Sequence, residues 1–184
     1  MEVAELERGW RMAHEVRTEE GEVQVGTEAC FQNLVEGLAD PDPKVRRLAV
    51  CGLAACGEVR CVELVAGMLH DPDEDVRTRA ALALGKMGHA EAAPALVEAA
   101  TGPDPALRRA AILALGELDA GLDVLADVLG RGDPAERVRA AIALGETHDL
   151  GAIDPLTAAL KDQDATVRVR AAEALEKIRE SRVF

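Results

Sequence analysis

One phrase returns along this chain at intervals of 31, 31, 29 and 31 residues: an Asp, an Arg four positions on, an Ala three further and a Leu four beyond that. The acids are Asp42, Asp73, Asp104, Asp133 and Asp164, and the bases are Arg46, Arg77, Arg108, Arg137 and Arg168. The Ala positions are 49, 80, 111, 140 and 171, and the Leu positions 53, 84, 115, 144 and 175. A period of this length is one supersecondary unit, too small to cover both of its own apolar faces. Such a chain must stack unit on unit, each covering the next.

Each unit reads as two helices. An Asp N-cap opens the first, with Pro behind it in Asp42-Pro43, Asp104-Pro105 and Asp133-Pro134. The carboxylate accepts from free first-turn amides, and Pro brings no amide of its own to that turn. Val76, Ala80, Ala83, Leu84 and Met87 then follow helical spacing. Gly85, Gly88, Gly116 and Gly145 are expected at the helix exits, where a tight or left-handed turn is needed. In the second helix three columns align at spacings of three and four: Phe31, Val62, Ala93, Leu122 and Ile153; Leu34, Val65, Leu96, Leu125 and Leu156; Leu38, Leu69, Ala100, Leu129 and Leu160. They form a single apolar stripe.

Composition agrees with close-packed helices. With one Trp, two Phe and no Tyr in 184 residues, the core must come from Leu, Val, Ile and Ala. No apolar run reaches the roughly 18 residues of a membrane span, and the acidic start Met1-Glu2-Val3-Ala4-Glu5 lacks the basic opening of a signal peptide. A cytoplasmic location without membrane attachment is the expectation. Four cysteines without a CxxC pair suggest core thiols in a reducing compartment. Of the net charge of −13, residues 1–39 carry nine acids against three bases, so the repeats are mildly acidic. That balance disfavours a nucleic-acid partner, which needs a basic surface.

The stretches "DPDEDVRTRAALALGKMG" at 71–88 and "DPALRRAAILALGEL" at 104–118 resemble HEAT repeats, in the short bacterial and archaeal form also found in phycobilisome lyase subunits. The resemblance covers about residues 28 to 180. It implies an all-α fold, a right-handed α-solenoid of about five helical hairpins. Residues 1–26 would form an N-terminal capping helix and acidic loop ahead of a Thr27 cap, and 27–184 the solenoid, with units starting near 40, 71, 102, 131 and 162, in one continuous domain. The resemblance also implies that the Asp and Arg of the phrase form a hydrogen-bonded ladder between neighbouring units: Asp42, Arg46, Asp73, Arg77, Asp104, Arg108, Asp133, Arg137, Asp164 and Arg168. An Arg in a first turn opposes the helix dipole, so an acidic partner is expected there in any case.

At the far end the fifth unit has only its first helix, and Glu176 stands where earlier units have Gly. Ile178, Val183 and Phe184 are expected to be partly uncovered. That leaves two states open, a monomer and a homodimer joined through the C-terminal end.

No catalytic constellation emerges. Cys30 and Cys61 occupy equivalent points of adjacent units, about 10 Å apart at helix-packing distance, and Cys51 and Cys56 point apart on one helix. Buried thiols are expected rather than a metal or disulfide site. His14, His70, His89 and His148 are scattered, and the helix starts read Val76-Arg77, Leu107-Arg108 and Val167-Arg168 rather than the His-Glu pairs of a HEAT-type metal hydroxylase. No metal or cofactor is expected.

The functional signal falls on the second helices. Gln32, Glu63, Pro94, Asp123 and Asp154 form one outward column; Glu36, Gly67, Glu98, Asp127 and Ala158 form the next. Six of these ten are acidic and none is basic. In a HEAT stack these helices line the concave face, so Gln32, Glu36, Glu63, Glu98, Asp123, Asp127 and Asp154 are the candidate partner-binding residues. Two readings stand: a solvated face, or a negative groove for a basic or amphipathic protein segment. The implied function is a non-catalytic protein-binding scaffold or assembly factor; the alternative is a subunit of a phycobilin lyase or isomerase.

Overall fold

The computed structural model describes residues 24–181. Ten α-helices follow one another there: α1 (Gln24–Gly37), α2 (Pro43–Cys56), α3 (Arg60–Gly67), α4 (Glu74–Met87), α5 (Ala93–Thr101), α6 (Pro105–Glu117), α7 (Leu122–Arg131), α8 (Pro134–Glu146), α9 (Ile153–Ala159) and α10 (Ala165–Glu180). Short 3-10 turns continue α3 and lead into α5 and α9. No strand occurs among the described residues. The even-numbered helices are the first helices of the units, the odd-numbered ones the second. The expected capping helix before residue 24 lies outside the described residues. Since α1 begins at Gln24, Thr27 is not its cap.

All five phrase Asps cap their helices. Asp42 accepts from the Lys44 amide, Asp73 from Val76, Asp104 from Ala106 and Leu107, and Asp164 from Thr166 and Val167. At α8 the cap is reciprocal: Asp133 accepts from the Glu136 amide at 2.8 Å, and Glu136 accepts from the Asp133 amide at 3.1 Å. Each such cap contributes about 1 kcal/mol.

The glycines divide into two roles. The left-handed turn after the first helix is taken by Gly57, Gly88, Asp119 and His148, the same position in four units, with φ of 66°, 69°, 52° and 51°. Gly85, Gly116 and Gly145 instead lie inside α4, α6 and α8, so the expectation that they form exits is corrected. They are points of backbone approach: a Cβ on Gly116 would fall 2.7 Å from Ala143 Cα, and Gly85 and Gly145 face Ala114 and Ala174 in the same way. The first helices consequently form one tightly packed layer, whereas the second helices touch one another little. Leu34, Val65, Leu96, Leu125 and Leu156, the middle column of the second helices, are fully buried against that layer, each contributing about 1.5–3 kcal/mol.

The ladder joins the units, but its acids are not those expected. Arg46 Nε donates to Asp71 Oδ2 at 2.7 Å, Arg77 Nη2 to Asp104 Oδ2 at 2.6 Å, Arg108 Nε to Glu136 Oε1 at 2.8 Å and Arg137 Nε to Asp162 Oδ2 at 2.8 Å. Of the phrase acids only Asp104 pairs across units. Asp42, Asp73, Asp133 and Asp164 serve as caps, and Arg168 bonds the carbonyls of Asp162 and Gln163 in its own loop. The reason is geometric. A cap carboxylate faces the first-turn amides of its own helix, whereas the acid two residues earlier sits in the loop that meets the preceding unit. In Asp71-Pro72-Asp73 and Asp162-Gln163-Asp164 that earlier acid also accepts the amide of the cap, at 2.8 Å in both. With Gly102 at the earlier position, Asp104 both caps its helix and meets Arg77; in the shorter fourth unit Asp133 keeps the cap, and Glu136 meets Arg108 and accepts the Asp133 amide. Every guanidinium also donates to carbonyls of its own loop, as Arg77 does to Asp71 and Pro72. One side chain thus ties two successive loops.

At the C-terminal end Ile178 is buried at 1% exposure, against expectation, because it turns back toward the preceding unit. Val183 and Phe184 lie outside the described residues. The large apolar groups without cover from the turn before α9 onward are Leu150, Ile153, Leu160 and Val169, at 49, 36, 39 and 53%. Glu176 occupies the register of Gly145, so a further unit could not approach there as closely as the inner ones do.

Two outcomes follow for stability. Gly116→Ala should cost about 2–3 kcal/mol by overpacking, while Gly130→Ala, where a Cβ meets nothing within 4 Å, should be neutral or stabilising; urea unfolding of both variants measures the difference. Burial alone would raise the carboxyls of Asp71 and Asp104, but Arg46 and Arg77 outweigh it and hold them below the usual range, and Arg137 does the same directly for Asp162. Folded values below unfolded ones mean a stabilisation fully present above about pH 4 and lost as pH falls through the folded values. Thermal midpoints should therefore drop on acidification below about pH 4. Asp71→Asn, about 3 kcal/mol less stable at neutral pH, should show a shallower drop.

Candidate functional site on the second helices

The seven candidate residues are carried by α1 (Gln32, Glu36), α3 (Glu63), α5 (Glu98), α7 (Asp123, Asp127) and α9 (Asp154), and all seven are exposed. Their exposure follows from the apolar stripe: with Leu96 and its equivalents turned inward, the positions two or so residues away turn outward. The helices that bear them make few contacts with one another, so the face is divided into one short ridge per helix.

Its charge is not uniform. At one end Arg60 lies over the Phe31 ring, 3.9 Å from the centroid, and reaches Glu58 at 2.6 Å and Glu28 at 3.3 Å. The Glu28 carboxyl is held below its usual range by the Gln32 amide, which donates at 3.0 Å, and then by Arg60. On α7 Asp127 pairs with Arg131 at 3.1 Å. Reading the columns alone missed both cations, which stand just outside them; the i,i+4 spacing of Asp127 and Arg131 was the available signal. Glu63, Glu98 and Asp123, in three successive units, have no described hydrogen bond or ion pair from their side chains. They form the uncompensated centre of the face.

The thiols differ from expectation. Only Cys61 is buried; Cys30 and Cys51 are half-buried and Cys56 is exposed. The turn at Gly57 brings Cys56 against Cys61 and near Cys30, a proximity that helix spacing could not reveal. Burial pushes the Cys61 thiol up to about 11 and raises Cys30 and Cys56, which keeps them protonated and weakly nucleophilic at neutral pH. Among the described residues no three His, Cys, Asp or Glu side chains converge as metal ligands would. His89 Nε2 lies 3.0 Å from the Gly57 carbonyl and tethers two successive turns, while His148 occupies the left-handed turn position. His70 is exposed, and His14 lies outside the described residues. No described helix is long and apolar enough to cross a membrane.

Comparison with known proteins agrees with this architecture. The complex of CpcE and CpcF of phycocyanin lyase from Nostoc sp. PCC7120 matches with a TM-score of 0.66 and 21% identity, over 80% of this chain and 98% of that one. An engineered protein matches at 0.59 and 22%, over 95% and 90%. A designed armadillo repeat protein solved in complex with the peptide (KR)4 matches at 0.60 and 17%, over 95% and 92%. At these identities the likeness is one of fold. Among curated proteins none matches the sequence. The pattern of HEAT repeats matches residues 31–120 and 122–184, and the chain belongs to the HEAT-repeat family.

Proposed function

We propose that this protein is a non-catalytic scaffold or assembly factor whose second-helix face receives a basic or amphipathic segment of a protein partner. The observation that carries the proposal is the run of Glu63, Glu98 and Asp123, exposed on three successive units and without an ion pair or side-chain hydrogen bond among the described residues. The three stand on adjacent second helices, Glu63 and Asp123 in one register column and Glu98 one turn further along its helix in the next, and the ladder between units holds those helices in a fixed order. A partner with bases at a matching interval would be steered by the field and held without reorganising the scaffold. The designed armadillo protein solved with (KR)4 supports the reading by analogy, as a stacked-helix protein that holds an alternating basic peptide. In this reading the acidic face is a site in the cytoplasm, and the chain works as a monomer or as a homodimer through its C-terminal end.

A second reading, a subunit of a phycobilin lyase or isomerase, is favoured by the likeness to the CpcE and CpcF complex. The two readings separate experimentally. For the scaffold, a (Lys-Arg)4 peptide should bind with an affinity that falls steeply with salt, and Glu63→Lys, Glu98→Lys and Asp123→Lys combined should weaken it about tenfold or more; unchanged affinity in calorimetry defeats the acidic-face proposal. For the lyase subunit, incubation with a free bilin should give a shifted visible absorption band that co-elutes with the protein. The scaffold reading expects no such band.

A further inference from the structure

The first-helix layer carries a feature that the acidic face does not explain. Between α2 and α4 lies a hollow of about 260 Å³, floored by Cys51, Ala54, Leu82 and Ala83 and flanked by Arg79 and Lys86. The two cations are seven residues apart on α4, two turns and about 10 Å along one side of the helix, with Leu82 between them. Neither makes a hydrogen bond or ion pair among the described residues. On the same layer Arg47, Arg170 and Lys177 each reach a carboxylate, whereas Arg79 and Lys86, like Lys44, Arg109 and Arg139, reach none among the described residues.

The hollow arises from the repeat itself. Ala54 stands at the register that is Gly85, Gly116 and Gly145 in later units. Ala55 stands where those units have Lys86, Glu117 and Glu146, so a long side chain is missing on the α2 side of the seam and a void remains. Cys51 and Leu82 occupy one register position in successive units and supply its apolar floor.

We propose that this hollow binds a small amphiphilic anion: an aliphatic or aryl body of about six to eight carbons, as the volume allows, bearing a carboxylate or phosphate head. The body lies on Leu82 and Ala54, and the head is met by Arg79 or Lys86. The body supplies the burial and the cations the selectivity for charge. This site is independent of the acidic second-helix face, on the opposite helix layer and of opposite sign.

Cys51 provides a local readout, since it lines the hollow, whereas Cys56 faces Cys30 and Cys61. Iodoacetamide labelling of the full chain, followed peptide by peptide by mass spectrometry, should be slowed saturably at Cys51 and unchanged at Cys56 by octanoate or hexyl phosphate; whichever protects at the lower concentration identifies the head group. Arg79→Glu with Lys86→Glu should raise the half-protecting concentration about tenfold or more. Ala54→Leu, which fills the hollow without changing charge, should raise it as well, circular dichroism showing that the helices persist in both variants. Equal protection by 1-octanol, protection indifferent to the charge reversal, or no protection by either anion would overturn the assignment.

Discussion

The stack depends on how closely its first helices approach. Gly85, Gly116 and Gly145 present bare backbone to Ala114, Ala143 and Ala174, at separations where a Cβ would sit less than 3 Å from its neighbour. Interiors packed at crystal-like density have no slack to absorb an added methyl group. This contact sets the spacing at the seams from α4 to α10, and at the first seam, where Ala54 holds the register of the glycines, α2 and α4 also pack closely. The buried Leu column, the loops and the outward-facing columns all inherit that spacing, which is why a chain with almost no aromatic residues can build a continuous core.

The ladder acts on the stack differently. Arg46, Arg77, Arg108 and Arg137 are each held by carbonyls of their own loop and by one carboxylate of the next unit, so each ties two successive units through a directional contact. An isolated charge in that place would be costly; paired and hydrogen-bonded on both sides, it is stable and geometrically specific. The requirement is for a carboxylate at one point in space and not at one point in sequence. Asp71, Asp104, Glu136 and Asp162 meet it from three different register positions. A stack of this kind displays its surface columns at constant intervals, and the proposed reading draws on two of them, Glu63 and Asp123 from one and Glu98 from the next.

Both surfaces with a proposed role are departures from the repeat. On the second helices the repeat dictates inward Leu and Val but leaves the outward positions free, and these are acidic in consecutive units. On the first helices Ala54 and Ala55 stand where later units carry Gly and a long side chain, and a hollow lies beside them. Positions that packing does not prescribe are where a family defined by packing can differ from chain to chain, and fold likeness alone cannot assign their use.

The sequence by itself determined the repeat of helix pairs, the Asp caps and the buried middle column of the second helices. These follow from local spacing and first-turn chemistry, which need no neighbour. Tertiary structure alone decided which acid answers each Arg, because that choice is made across a gap of 25 to 28 residues by loops whose course a repeat phrase does not specify. It also decided that three glycines are contact points rather than turns, that Cys56 meets Cys61 while Cys51 lines a hollow, and that Arg60 reaches Glu28 at one end of the acidic face. Each of these is a distance between elements, set by the approach of one helix layer to the next.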